Sequence, residues 1–144
     1  MATLTLAKAN EIIANALKKA REMKIKPLTV VVLDDSGHLK AMQREDGASM
    51  FRIDVATGKA WAAVGMGASS RALAARAKDN PNFFITLAAT AQGKFLPQIG
   101  GVLIRDATGT ILGAAGASGG TGEEDEAACA YGIEQAGFKA DAAP

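Results

Sequence analysis

Cysteine and histidine are almost absent from the sequence, which contains one of each among 144 residues. The single cysteine, Cys129, cannot form an intramolecular disulfide, and its alanine-rich surroundings predict the buried face of a helix. The single histidine, His38, has no neighbouring histidine or cysteine with which to build a zinc site. We therefore expect no metal site.

An excess of charge of one sign is also lacking, because 16 basic residues face 15 acidic ones and the net charge is +1. Such a balance gives no electrostatic footprint for nucleic acid or a membrane surface. No apolar run approaches the roughly 20 residues of a membrane-spanning helix, and the N-terminal segment lacks the pattern of a secretory signal. We expect a cytoplasmic protein without nucleic-acid or membrane partners.

Periodicity and turn residues divide the chain into helices and hairpins. Apolar residues recur at helical spacing over 5–23, and two short β-branched or small-residue runs flank glycine turns in each of 28–43 and 100–116. Further helices are predicted over 51–64, 70–78 and 122–137, with another helical turn starting at Pro81.

The order of these elements is helix, hairpin, helices, hairpin, helix. Two hairpins favour an α/β (α+β) fold with a mostly antiparallel sheet flanked by helices. The length matches one ordinary domain, which we place at residues 1–138, followed by a frayed tail over residues 139–144.

The most informative stretch is a glycine-rich loop that runs into an acidic helical turn, residues 113–126. Glycines at 116, 119, 120 and 122 predict backbone amides that are open to a ligand. A nucleotide loop would require a lysine after the last glycine, whereas four carboxylates follow Gly122 and would repel phosphate. Two alternatives stay open: the acids cap the helix, or the loop binds a neutral, cationic or metal-bearing ligand.

Three side chains elsewhere can carry chemistry. His38 follows a turn and can transfer protons or act as a ligand, or it is an exposed turn residue. Arg44 can hold a carboxylate or propionate, or it pairs with its neighbours in a surface turn. Lys59 lies in an apolar stretch, where its amine can pair with a carboxylate or act as a nucleophile, or extend to solvent.

Several separate segments together match one family pattern. They are residues 30–38 (VVVLDDSGH), 44–47 (REDG), 59–60, 100–101 and 113–120 (GAAGASGG), with Asp125 after them. Over nearly the whole chain the sequence resembles the GlcG/HbpS family, which includes haem-binding proteins and the C-terminal domain of PduO-type corrinoid adenosyltransferases. The resemblance implies a profilin-like or PAS-like fold and a dimer-based homo-oligomer, a hexamer or octamer. Members of this family also stand in catabolic operons.

Two functional hypotheses follow, and whether the protein is an enzyme stays open. As a binding protein, it would hold haem or a related planar cofactor in an oligomer; the ligand-binding residues would be His38, Arg44, Gly116, Ser118, Gly119 and Gly120. As an enzyme, it would move protons on a small carbonyl, imine or unsaturated acid, in an isomerase, hydratase or imine-hydrolase reaction. The catalytic residues would then be His38, Lys59 and a carboxylate from Asp46, Glu124 or Asp125. A third interpretation is assembly of subunits without chemistry.

Overall fold

A five-stranded antiparallel sheet carries five helices in the computed structural model, which describes residues 3–144. The elements follow in the order α1 (Leu6–Glu22), β1 (Thr29–Asp34), β2 (Leu39–Arg44), α2 (Phe51–Met66), α3 (Ser70–Asp79), α4 (Pro81–Thr90), β3 (Gly101–Arg105), β4 (Ile111–Ser118), α5 (Gly122–Gln135) and β5 (Lys139–Asp141). The strand order is β2-β1-β4-β3-β5. The predicted fold class is confirmed, and residues 1 and 2 of the predicted 1–138 domain lie outside the described residues.

Both faces of the sheet are covered by helices, which explains the continuous apolar run of β1. Val30 and Val32 pack in the core beneath α1 and α5, whereas Val31 and Leu33 pack beneath α2. Successive side chains of a strand point to opposite faces, so a strand buried on both sides has no polar alternation. Within residues 3–144, no helix has the length and apolar character that a bilayer crossing requires.

Glycines in the sheet allow α2 to approach it closely. A Cβ atom on Gly116 of β4 would lie 2.2 Å from the carbonyl oxygen of Ala56, and one on Gly101 of β3 would lie 2.4 Å from that of Lys59. Side chains at these positions would therefore push the helix away from the sheet. This close packing fixes the distance between α2 and the sheet, and so determines where the side chains of α2 lie relative to the end of β4.

The C-terminal residues differ from the predicted frayed tail, and that prediction is corrected. Lys139–Asp141 forms β5, which pairs antiparallel with β3, and Arg105 donates to Asp141 across the pair at 2.9 Å. The preceding Phe138 is buried and anchors the strand. Without β5, the edge of β3 would present unpaired N–H and C=O groups. Pairing is therefore favoured, although a run of three residues is too short to predict a strand.

The turn between β3 and β4 is held by the carboxylate of Asp106. Its Oδ1 accepts the backbone N–H groups of Thr108 and Thr110 at 2.9 and 3.0 Å, and the hydroxyl of Thr108 at 2.7 Å. The Thr108 hydroxyl, with these amides, lowers the pKa of Asp106 below its ordinary 3.8.

We expect Asp106→Asn to remove part of the acid sensitivity of folding. A lowered folded pKa contributes stability above the unfolded pKa of 3.8, and this contribution is lost as the pH falls towards the folded value. Urea unfolding from about pH 6 to about pH 3 should therefore show a shallower pH slope in the variant than in the wild type. Asp54→Asn, which changes an exposed carboxylate of α2, is the control; an equal change of slope in both variants would contradict the assignment.

Candidate functional site

A cavity of about 830 Å³ opens where α2, α3, the segment before β3 and the start of α5 meet the end of β4. Its polar side chains include two arginines, a lysine, a serine and an aspartate; these are Arg52, Arg71, Lys59, Ser118 and Asp125. Apolar side chains of Val55, Leu96 and Ile99 also line the cavity, together with the polar side chains of Lys78, Asp79, Gln98 and Glu123. A small-molecule site usually combines apolar surface with converging polar groups, and this cavity has both.

A buried ion pair forms the floor of the cavity. Lys59 of α2 is 5% exposed, and its Nζ donates to Oδ2 of Asp125 at 3.1 Å and to the carbonyl oxygen of Ala117 at 2.9 Å. Asp125, in the first turn of α5, is 1% exposed, and its Oδ1 accepts the N–H of Gly120 at 3.0 Å. Both charges are thus held by hydrogen bonds at the point where the glycine-rich loop meets α5.

Burial raises the pKa of the Asp125 carboxyl, while the positive charge of Lys59 and the Gly120 N–H oppose that rise. A carboxyl with a raised pKa accepts a proton more readily than an exposed aspartate does.

The neighbouring Cys129 is fully buried, and burial raises the pKa of its thiol to about 12. Cys129 therefore stays protonated at neutral pH and is not a nucleophile.

The two arginines of the cavity are in different electrostatic states. Arg71 pairs with Glu126 through two nitrogens, each at 3.0 Å from a carboxylate oxygen. Arg52 is half-buried and donates from Nη1 to the buried hydroxyl of Ser118 at 3.0 Å. Among the described residues, none of the ion pairs includes Arg52. Its remaining N–H groups are therefore free of any carboxylate in that part of the chain.

Known proteins share both the sequence pattern and this fold. Residues 4–134 match the family described as "Haem degrading protein HbpS-like". The chain belongs to the HbpS-like family. A 15.0 kDa protein of the dhaT-dhaS intergenic region of Citrobacter freundii is 30% identical over 125 residues, or 87% of this chain and 86% of that protein.

Two solved structures are similar over nearly their whole length. The crystal structure of a PduOC:haem complex has a TM-score of 0.84 at 24% identity, covering 95% of this chain and 97% of that one. Protein ORFY of Klebsiella pneumoniae has a TM-score of 0.83 at 27% identity, covering 94% and 92%. The resemblance to the GlcG/HbpS family is confirmed.

Four of the predicted site residues meet at the cavity of this HbpS-like chain: Lys59, Ser118, Gly120 and Asp125. The other two predicted glycines serve packing. Gly116 lies beneath Ala56 of α2, and a Cβ atom on Gly119 would lie 2.2 Å from the carbonyl oxygen of Pro27. The expectation that all the loop glycines offer amides to a ligand is corrected, since close backbone approach explains these two.

His38 lies at the other end of the sheet from the cavity. Thr29 pairs with Ser118 at the cavity end of β1, whereas Asp34 pairs with Gly113 five residues further on, roughly 16 Å along the strand. The His38 side chain follows Asp34, is 80% exposed, and lies 3.8 Å from that carboxylate. The predicted convergence of His38 with Lys59 is therefore corrected, because the hairpin turn carries the imidazole away.

Arg44, Asp46 and Glu124 are also outside the cavity. Arg44 and Asp46 border a separate surface depression of about 410 Å³ beside Arg21, and Arg44 donates to the carbonyl oxygen of Ala48 at 2.7 Å. Glu124 accepts the N–H of Thr121 at 2.9 Å, while the Thr121 hydroxyl accepts the N–H of Glu124 at 3.2 Å. This capping box shows that Glu124 satisfies the helix terminus, one of the two alternatives left open for the acidic turn.

The sequence patterns did not single out several cavity residues, among them Arg71 and, most important for the site, Arg52. A signal for it exists, because Arg52, Val55 and Lys59 stand at i, i+3 and i+7 and so share one face of a helix. Once Lys59 is a candidate, this spacing indicates that Arg52 lies two turns away on the same face.

Proposed function

We propose that this HbpS-like protein binds a small organic anion in the cavity, with a carboxylate of the ligand on Arg52. The observation that carries the proposal is the half-buried guanidinium that faces the cavity and is not neutralised within the described chain. Guanidinium groups bind carboxylates through two parallel hydrogen bonds. The Ser118 hydroxyl accepts one Arg52 N–H at 3.0 Å and so orients the group.

The apolar side chains of the lining support an organic rather than an inorganic anion. Val55, Leu96 and Ile99 offer hydrocarbon surface that a phosphate or sulfate ion would leave uncovered. The negative charges of Asp79 and Glu123 in the lining disfavour a highly charged anion. A ligand with one or two carboxylates and an apolar body fits this composition.

Haem is one ligand with this composition, and a protein of the same fold is known as a haem complex. The volume of about 830 Å³ can hold the edge of the haem ring, and the basic groups of Arg52 and Lys78 can pair with its propionates. None of the lining residues is a histidine, cysteine, methionine or tyrosine, the side chains that hold haem iron. The cavity therefore fits the carboxylates of haem but not its iron, and the proposed function does not depend on iron ligation.

Calorimetric titration with succinate, pyruvate and, separately, haemin tests this proposal. We expect saturable binding of at least one of the three, and a loss of about 10- to 100-fold in affinity for Arg52→Ala, since a charged hydrogen bond contributes about 1.5–3 kcal/mol. Arg44→Ala, which removes an arginine outside the cavity, and His38→Ala should leave the affinity unchanged. Absence of binding for all three probes, or an equal loss in the Arg44 or His38 variant, would overturn the proposal.

We also propose that the protein is a homo-oligomer, as the family resemblance implies. Large apolar side chains on its surface support this: Phe51, Phe83 and Ile85 are 60%, 52% and 68% exposed. Burial of such groups between subunits would stabilise the assembly. Native mass spectrometry of the protein, with and without the ligands of the titration, gives the number of subunits. A purely monomeric mass would contradict the proposed homo-oligomer.

A second candidate function is proton-transfer catalysis on a small carbonyl, imine or unsaturated acid. Its support is the 3.1 Å contact between Lys59 and Asp125 at the cavity floor, an amine and a carboxyl between which a proton can move. Of the residues proposed for this role from the sequence, these two meet, so the candidate stands on them alone.

A further inference from the structure

Lys59 differs from every other lysine in the described chain. It is the only buried one, whereas the remaining lysines are half-buried or exposed. Long basic side chains normally extend to water, so a buried amine at a cavity is an exception. Desolvated lysine amines are the ones that act as nucleophiles towards carbonyl groups.

Glycines at the start of β3 keep the path of the Lys59 side chain clear. A Cβ atom on Gly100, where φ is +132°, would lie 2.7 Å from the Lys59 Nζ and 2.9 Å from its Cδ. A Cβ atom on Gly101 would meet the Lys59 carbonyl oxygen at 2.4 Å. The Gly100-Gly101 pair therefore has a specific effect, which is to let the amine reach the end of β4.

The described residues leave one N–H of the Lys59 ammonium without an acceptor. An ammonium group has three N–H donors, and two acceptors contact this one, the Asp125 carboxylate and the Ala117 carbonyl. Because Lys59 lines the cavity, a ligand bound there can supply the third acceptor. A carbonyl group placed there would meet a nitrogen whose protons can pass to Asp125.

The anchoring of Lys59 and Arg52 limits the class of ligand. Arg52 donates to Ser118 and Lys59 donates to Ala117, which are consecutive residues of β4. The carboxylate site and the amine are therefore close, so one small molecule can reach both. A ligand that reaches both sites needs a carboxylate for Arg52 and, close to it, a carbonyl group for Lys59. A short oxo acid, in which these two groups are adjacent or one carbon apart, meets this requirement.

We propose that Lys59 forms an imine with the carbonyl carbon of a short oxo acid whose carboxylate lies on Arg52. This inference rests on the proposed function, since it uses the same cavity and the same anion site. It adds a reversible covalent step and names the substrate class.

The step balances within the cavity. The Lys59 ammonium passes one proton to Asp125, and the neutral amine attacks the carbonyl carbon to form a C–N bond. The nitrogen then loses a second proton to the oxygen, Asp125 returns the first, and the C–O bond breaks with release of water. The product is an iminium that retains one N–H and one positive charge. Its charge is paired with the Asp125 carboxylate, as the charge of the Lys59 ammonium was before the reaction. No oxidant or reductant is needed.

Borohydride trapping tests the inference. The wild-type protein is incubated with pyruvate, sodium borohydride is added, and the reduced adduct is located by peptide mass spectrometry. We expect a stable secondary amine on Lys59 at an occupancy at least about tenfold above that of any other lysine, corresponding to about 1.4 kcal/mol of preference. An adduct spread over the surface lysines, or no adduct, would overturn the inference without any variant.

Variants connect the adduct to the geometry. Lys59→Arg should abolish the trapped product, and Lys94→Arg, an exposed lysine, should leave it unchanged. Asp125→Asn should slow trapping, and its rate should lose the dependence on pH that Asp125 imposes. Circular dichroism checks that each variant is folded. Pyruvate binding that depends on Arg52, combined with absence of trapping, would reject the imine and leave the proposed function standing; absence of both would reject the two together.

Discussion

Gly116→Ala is expected to lower the free energy of unfolding by about 3 kcal/mol, at the upper end of what an added methyl group costs in a packed core. The Cβ atom would lie 2.2 Å from the carbonyl oxygen of Ala56 and 3.1 Å from the Cβ of Ala60. Because the first contact is with helix backbone, no side-chain rotation can relieve it. The helix must move away from the sheet, and the apolar contacts between α2 and the strands beneath it are weakened.

Gly65→Ala in the same helix is the matched control for this substitution. No atom would lie within 4 Å of the new Cβ, and Gly65 is exposed in the last turns of α2. Replacing an unstrained helical glycine by alanine raises stability by about 0.5–1 kcal/mol. Urea unfolding of the two variants should give changes of opposite sign. Equal stability of Gly116→Ala and wild type would show that α2 does not depend on close contact at that point.

Hydrophobic pattern is sufficient to predict most of the fold. The helical spacing over residues 5–23 corresponds to α1 at Leu6–Glu22, and the run at 28–33 corresponds to β1. The strand β5 is hard to find in this way, because its alternation of polar Lys139 and Asp141 with Ala140 is only three residues long and it forms a strand only through the edge of β3. Local sequence predicts local structure, whereas such pairing depends on the rest of the sheet.

The chemistry of the site is predicted less completely, for reasons that individual residues illustrate. Lys59 stands out because its neighbours are apolar, but its pairing with Asp125 joins residues 66 positions apart. His38 is an attractive candidate because it is the sole imidazole, yet the hairpin geometry places it at the far end of β1. Glycine alone does not indicate whether the space beside it belongs to a ligand or to a helix, and at Gly116 it belongs to a helix.

Lys59→Met is expected to destabilise the protein by about 3–5 kcal/mol at neutral pH, the cost of breaking one side of a buried ion pair. The methionine fills a similar volume, so the loss arises from the Asp125 carboxylate, which is 1% exposed and would lack its cation. Asp125→Asn should cost a similar amount, because it leaves the Lys59 ammonium without a counter-charge. The double variant should recover much of the loss, since neither buried charge is left.

The pH dependence of these variants separates charge from packing. In Lys59→Met the pKa of Asp125, already raised by burial, loses the lysine charge that opposes the rise. The folded state then binds more protons than the unfolded state at pH values above 3.8, so stability falls as the pH rises through that window. Urea unfolding at about pH 4.5 and about pH 7.5 should show a small loss at the lower pH and the full loss at the higher one. The double variant should lack this slope, because it has no carboxyl at position 125; a loss independent of pH in Lys59→Met would assign the effect to packing and contradict a charged pair at the cavity floor.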